Sequence, residues 1–269
     1  MEENVLGITK LVNALLGKPA LALLSALHVQ PANPAYPIPN HIAMELLVFA
    51  LSIVFFLWLK ARLSAENPGG TQQSMEMLLH NPMSLGVADL LENMVGHGAE
   101  RYLPMIGSIG FFVLFSNLIS VVPGLASPTA EVSVPLGCAI IVFLYYHACG
   151  FLKHGPVRYG KHFMGPNVFL SPLIFVIEMF SHAARLLSLT VRLWVNMLVS
   201  EMLYGIFLGL LLALLLFAGH ANPVGYALAP VPIVASVFIL LHIFVAFVQA
   251  FVFTILPVIY LAGAVAEGH

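Results

Sequence analysis

Ser181–Glu201, with the sequence SHAARLLSLTVRLWVNMLVSE, puts Arg185, Arg192 and Glu201 inside a largely apolar run that extends from Phe169 to Phe217. An arginine in hydrocarbon costs from roughly 3 to well over 10 kcal/mol unless it has a partner or water. Arg192 sits among Val191, Leu193 and Trp194, with no acid within four residues. Its partner is therefore remote in sequence or on another chain. At about 100° per residue, Glu178, Ser181, Arg185, Ser188, Arg192 and Asn196 fall within roughly 40° of the direction of Arg192. They form one polar stripe on an apolar cylinder. Glu201, nine residues past Arg192, points to the opposite side. A seam of hydrogen bonds between helices is the plainer reading, but such seams favour Ser, Thr and Asn over two guanidinium groups.

Of 269 residues, 60% are hydrophobic and 8% charged, with a mean hydropathy of +0.98. A soluble domain carries about 25% charged residues, so this is an integral membrane protein. Long apolar runs without period-two alternation favour helices over a barrel. Cys138 and Cys149 both lie in an apolar span and offer no disulfide or metal spacing. HExxH, GxGxxG, P-loop and CxxC patterns are missing, so nothing points to a cofactor, a metal or covalent chemistry.

The expected fold is an all-α polytopic membrane protein with an N-terminal transmembrane helix, an interfacial amphipathic helix, a transmembrane hairpin and a long, steeply tilted C-terminal helical hairpin. Residues 1–39 read as an outward-facing N-terminal segment, a short amphipathic stretch followed by the proline-rich loop PANPAYPIPN. Residues 40–269 read as a single membrane domain. Its first span is Ile42–Leu59, and residues 64–80 read as a polar, Gly-rich surface loop. Asn81-Pro82 then looks like a cap for a helix in which Val87, Leu90, Leu91, Met94 and Val95 recur at helical spacing. That helix is too polar to span and is expected along the interface or packed on other helices. Spans Leu103–Val122 and Ser133–Leu152 follow. Lys60, Arg62, Arg101, Lys153, Arg158 and Lys161 gather on one side, which the positive-inside rule makes cytoplasmic. The loops at 123–132 and 218–232 lack Lys and Arg, and face outward with the N-terminus.

A continuous helix from Ser171 to Phe217 would be on the order of 65–70 Å long, against about 30 Å of hydrocarbon. One steeply tilted helix is expected, with a hidden break as the alternative. A second long helix, Ile233–Leu261, returns with Pro257 as a kink, and places His242, Gln249 and Tyr260 on one face. Arginine keeps its proton at any working pH, so Arg192 cannot relay protons, whereas Glu178, Glu201 and His242 can. The set suggests two wet pathways separated by a fixed positive charge. Two rivals remain at this point. A haem-binding respiratory membrane subunit would need His182 and His242 to face each other. A stand-alone proton-coupled transporter would be expected to show inverted repeats or broken helices.

RLWVNMLVSE at 192–201 resembles the RLxxNxxxGE signature of ATP synthase subunit a, the membrane stator of the rotary F-type enzyme. HIFVAFVQAFVFTILPVIYL at 242–261 is similar to that family's last helix, with His and Gln seven apart. NLISVVPGLASPTAEVSV at 117–134 is similar to its N-L-x-x-x-x-P…P-T-A loop, and the tail AVAEGH is of the bacterial type. Ser200 departs from the usual Gly, Leu186 from a Pro, and Glu131 from an Asn.

The resemblance implies that Arg192 faces the carboxylates of a rotating c-ring and separates two offset aqueous half-channels. Glu201, Asn196, His242 and Gln249 would line the outer one. Glu178, Ser181 and Ser188, with Arg185, would line the cytoplasmic one. The implied partners are the c-ring, the peripheral-stalk subunit b and membrane lipid, with protons as the only small substrate and no nucleic acid. ATP chemistry would lie on other subunits, so the chain is no enzyme by itself. The implied location is the bacterial plasma (inner) membrane, with the N-terminus outside and the C-terminus cytoplasmic.

Overall fold

The computed structural model describes residues 5–31, 33–64, 67–80, 86–96, 98–122, 124–164, 169–218 and 231–265. Among them run α1 (Gly7–Ala26), α2 (Asn40–Ala61), α3 (Gly70–Leu79), α4 (Val87–Val95), α5 (Leu103–Leu118), α6 (Ser133–His154), α7 (Pro156–His162), α8 (Ser171–Ala218) and α9 (Val231–Val265). Short 3-10 turns join α4 to α5 and α5 to α6, and no strand occurs among the described residues. Among the described residues six helices are long and apolar enough to cross a membrane: α1, α2, α5 with its flanking turns, α6, α8 and α9. The chain is an all-α polytopic membrane protein.

α8 runs unbroken for 48 residues, through Gly205 and Gly209, so the hidden break is not the solution adopted. At 1.5 Å per residue it is about 72 Å long, and a straight helix of that length fits inside about 30 Å of hydrocarbon only when inclined by about 65°. α9 is the centre of the molecule and packs on α4, α5, α6 and α8. Val113, Val142, Leu193, Met197, Phe253 and Leu261 are buried where these helices meet. α4 turns Ala88 and Leu91 inward and packs on α9, as its apolar spacing requires. α2 attaches to the outside of α5 through edge-to-face contacts of Phe55 with Phe115 and Phe56 with Phe111.

Two expectations need correction. Residues 64–80 are not all loop, because Gly70–Leu79 forms α3. The glycines and proline lie only at its start, and beyond them Gln72, Glu76, Met77 and Leu78 are good helix formers, with Gln72 Nε2 donating to Glu76 Oε1 at 2.7 Å. The N-terminal stretch is also not short, since α1 spans 20 residues. Tertiary bonds hold its first half against the entry to α2. Asn13 Nδ2 donates to the Ile38 carbonyl and Asn13 Oδ1 accepts from the Ile38 N–H, while the Leu6 N–H donates to Asn40 Oδ1. The Asn81-Pro82 cap and the 219–230 turn lie outside the described residues.

Gly110 sets the approach of α5 to α9. A Cβ there would collide with the Thr254 hydroxyl, which is itself bonded to the Ala250 carbonyl at 2.7 Å. Gly110→Val is expected to cost about 1–3 kcal/mol by overpacking. Its melting midpoint in detergent should fall by roughly 2–10 °C, and an unchanged midpoint would contradict this packing.

Candidate functional site

α8 buries Leu189, Leu193 and Met197 against the core and leaves Val191 and Val195 exposed on the other side. Arg192 is on that uncovered side. Its side chain is exposed, and among the described residues no carboxylate lies within ion-pair distance and no hydrogen-bond partner is present. Ser188 and Asn196 are exposed beside it, and Glu178, Ser181 and Arg185 are half-buried further along the stripe. This arrangement follows from the 3.6-residue period: the apolar residues between the polar ones take the core face.

Past Arg192, toward the α5–α6 connection, lies a polar cluster that runs from the surface inward. Asn196, Ser200, His242 and Gln249 line a cleft of about 320 Å³ between α8 and α9. His242 is buried, with Tyr204 stacked on its ring at 5.4 Å, and both ring nitrogens are engaged. Nε2 meets Ser120 Oγ at 2.9 Å and Nδ1 meets Ser200 Oγ at 2.6 Å. Ser120 gives its one hydrogen to the Asn117 carbonyl, so Nε2–H donates to Ser120 and Ser200 donates to Nδ1. Glu201 does not border this cleft. It points to the opposite side of α8, where the Ser127 N–H donates to its Oε1 at 3.3 Å. Its Oε2 is buried without a protein partner among the described residues. The side chains of Ser127, Thr129 and Asn117 are linked at 2.7 and 2.6 Å, and this network meets Glu201 through the Ser127 backbone N–H and Ser120, the partner of His242, through the Asn117 backbone carbonyl. The Trp194 indole N–H fastens α8 to the same connection through the Ala130 carbonyl at 3.0 Å.

The other end of α8 carries a second polar cluster. His182 is buried, with Tyr146 Oη 2.9 Å from its Nδ1 and Glu178 Oε1 3.4 Å from its Nε2. Arg185 lies 3.9 Å from the same Glu178 oxygen and over the Tyr260 ring at 5.5 Å. His147 stands 4.8 Å from the His182 ring and bonds Tyr159 Oη at 3.0 Å. Gly155, at φ +75°, ends α6 and lets α7 fold back, which seats Tyr159 against Gly150. Burial pushes the Tyr159 hydroxyl up to about 12, so it keeps its proton.

Between the clusters the buried side chains are apolar: Val113, Leu189, Leu193, Met197, Ala250 and Phe253. Thr190 and Thr254 are the buried hydroxyls nearby, and each closes onto a carbonyl of its own helix. His182 and Glu201 are 19 residues apart, about 28 Å along the axis, with Arg192 near the midpoint. Protons could be held at either end, and between them Ser188 and Arg192 lie on the exposed stripe of α8 rather than in the interior. His182 and His242 belong to different clusters, each with its ring nitrogens engaged by protein groups, which is not the facing pair a haem would need.

The helical period found Arg192, Asn196, His242 and Gln249. It did not find Asn117, Ser120, Ser127, Thr129, Ser200, Tyr146 or His147. The signal for the first four is the 117–134 motif itself, in which four hydrogen-bonding side chains occur in thirteen residues of an otherwise apolar stretch.

A profile of the ATP synthase A chain family matches residues 42–262. "ATP synthase subunit a" of Koribacter versatilis is 41% identical over 264 residues, covering 98% of each chain. The protein of that name in Solibacter usitatus is 42% identical, covering 88% of this chain and 92% of its own. That of Aquifex aeolicus is 38% identical, covering 85% and 97%. With the match running through α2 to α9 and across both polar clusters, the chain belongs to the ATP synthase subunit a family.

Proposed function

We propose that this protein is the stator proton channel of a rotary F-type ATP synthase. It works against the carboxylates of a c-ring and is held by the peripheral-stalk subunit b. It sits in the bacterial plasma (inner) membrane with the N-terminus outside and the C-terminus cytoplasmic, residues 1–39 outward-facing and 40–269 forming the membrane domain. The observation that carries this reading is Arg192, a permanent cation on the uncovered face of a membrane helix with no acid in reach among the described residues. An anion from a neighbouring subunit would supply what the guanidinium lacks.

In this mechanism a proton enters from outside through Glu201 and the cleft of His242, Asn196 and Gln249. It neutralises a ring carboxylate, which can then turn into lipid without the penalty of a buried charge. After rotation the site meets the cytoplasmic pathway of Ser188, Arg185, Ser181 and Glu178. There the field of Arg192 favours the ionised carboxylate and the proton leaves. Each charge that crosses yields about 2.3 kcal/mol per 100 mV. The apolar layer and Arg192 together keep protons from passing directly between the two ends, so transfer requires the ring to turn. The chain carries no ATP chemistry of its own.

The test is cross-linking in membranes holding the whole complex, with Cys138 and Cys149 first replaced by Ala. Val191→Cys and Val195→Cys should cross-link to a cysteine placed beside the ring carboxylate, and Leu189→Cys and Leu193→Cys should not. Equal labelling of both faces, or none from the first pair, would remove the ring from this surface.

A further inference from the structure

We propose that His182 is a positioning residue of the cytoplasmic proton pathway: its Nε2, 3.4 Å from a Glu178 carboxylate oxygen, holds that side chain where it exchanges a proton. The inference rests on the channel reading above and goes beyond it, because His182 lies off the polar stripe, about 80° from Arg192, and lines neither pathway there.

The contacts favour one tautomer. Nε2 faces a carboxylate oxygen of Glu178 at 3.4 Å, so the neutral imidazole carries its hydrogen there, and Nδ1, 2.9 Å from Tyr146 Oη, accepts from that hydroxyl. Arg185 also approaches Oε1. Both side chains therefore converge on the one carboxylate. Each element around the ring contributes to holding it. α6 supplies Tyr146, stacked at 5.9 Å, and His147, tilted against the ring at 4.8 Å. The segment after α7 supplies Phe163 at 5.2 Å, and Tyr159 of α7 braces His147. α9 supplies Tyr260, packed on Tyr146 and under Arg185. A glutamate on a half-exposed helix face has three free torsions, and contact with a ring packed by α6 and by the segment after α7 restricts them. α6 and, through Tyr146 and Arg185, α9 thus set where an α8 carboxylate is presented.

The experiment measures ATP-driven proton pumping by the whole complex in inverted membrane vesicles, normalised to the assembled chain present. His182→Leu should lower the rate about fivefold, the scale of one hydrogen bond. His182→Gln, whose amide N–H replaces the Nε2 donor, should restore most of it. Tyr146→Phe, which keeps the ring packing and frees the tautomer, should lie between. In a Glu178→Gln background, itself slowed, none of the three should have a further effect, because the histidine acts only through that carboxylate. Wild-type pumping by His182→Leu would overturn the proposal, as would losses by the Leu and Gln variants that persist undiminished in Glu178→Gln. If His182→Leu fails to assemble, the Gln and Phe variants carry the same comparison. Unimpaired pumping by Glu178→Gln alone would instead remove Glu178 from the pathway, a failure of the channel reading that the single variant identifies.

Discussion

Arg192→Ala is expected to abolish ATP synthesis driven by a proton gradient in vesicles carrying the whole complex, a loss of at least about a hundredfold. The guanidinium is exposed on the uncovered side of α8, and among the described residues no carboxylate lies within ion-pair distance of it. Without it an ionised ring site has no counter-charge at the crossing point, and nothing repels a proton passing directly from one polar end to the other. Arg192→Lys should be nearly as damaging. An ammonium is a compact, strongly hydrated charge that loses its proton more readily in an apolar setting, and it lacks the planar fork that engages a carboxylate. Coupled synthesis at half the wild-type rate in the Ala variant would refute this role. So would a structure of the complex in which the Arg192 side chain lies among lipid headgroups.

The second large effect belongs to Glu201. Glu201→Gln preserves volume and keeps an oxygen to accept from the Ser127 N–H, so the chain should assemble in normal amounts. The amide cannot take up and release a proton, and ATP-driven pumping should fall by about a hundredfold or more, at the lower end of what a positioned proton-transfer group contributes. Glu201→Leu should add a stability loss of about 1–3 kcal/mol by leaving that buried N–H unpaired. The pair of variants separates the two roles. If the Gln variant pumped as well as the wild type, Glu201 would be a structural hydrogen-bond acceptor and the outer pathway would have to run through His242 alone.

Ser200 shows how a departure from the family pattern was absorbed. Where the signature has Gly, a hydroxyl here reaches across to His242 Nδ1 at 2.6 Å, and the helix continues without a change of spacing near Glu201. The substitution adds a bond to the very histidine that the polar cluster surrounds. Its partner Ser120 lies 122 residues away in sequence, so no local pattern could have linked them.

What the sequence by itself determined is one-dimensional and periodic. Hydropathy set the spans, because every backbone polar group in hydrocarbon must be bonded within a helix. The 3.6-residue repeat put Arg192, Ser188 and Asn196 on one side of α8 and Glu201 on the other, and the cost of a buried charge marked Arg192 as incomplete. Only the tertiary structure decided what lies across from each face. It fastened α1 to the entry of α2, and brought the α5–α6 connection onto Glu201 and His242. It also packed α6 and α7 around His182 and filled the space between the polar ends with apolar side chains. Those contacts join residues tens to more than a hundred positions apart, through hydroxyls, amides and rings whose value depends on a partner's distance and direction, and neither is written in the order of a chain.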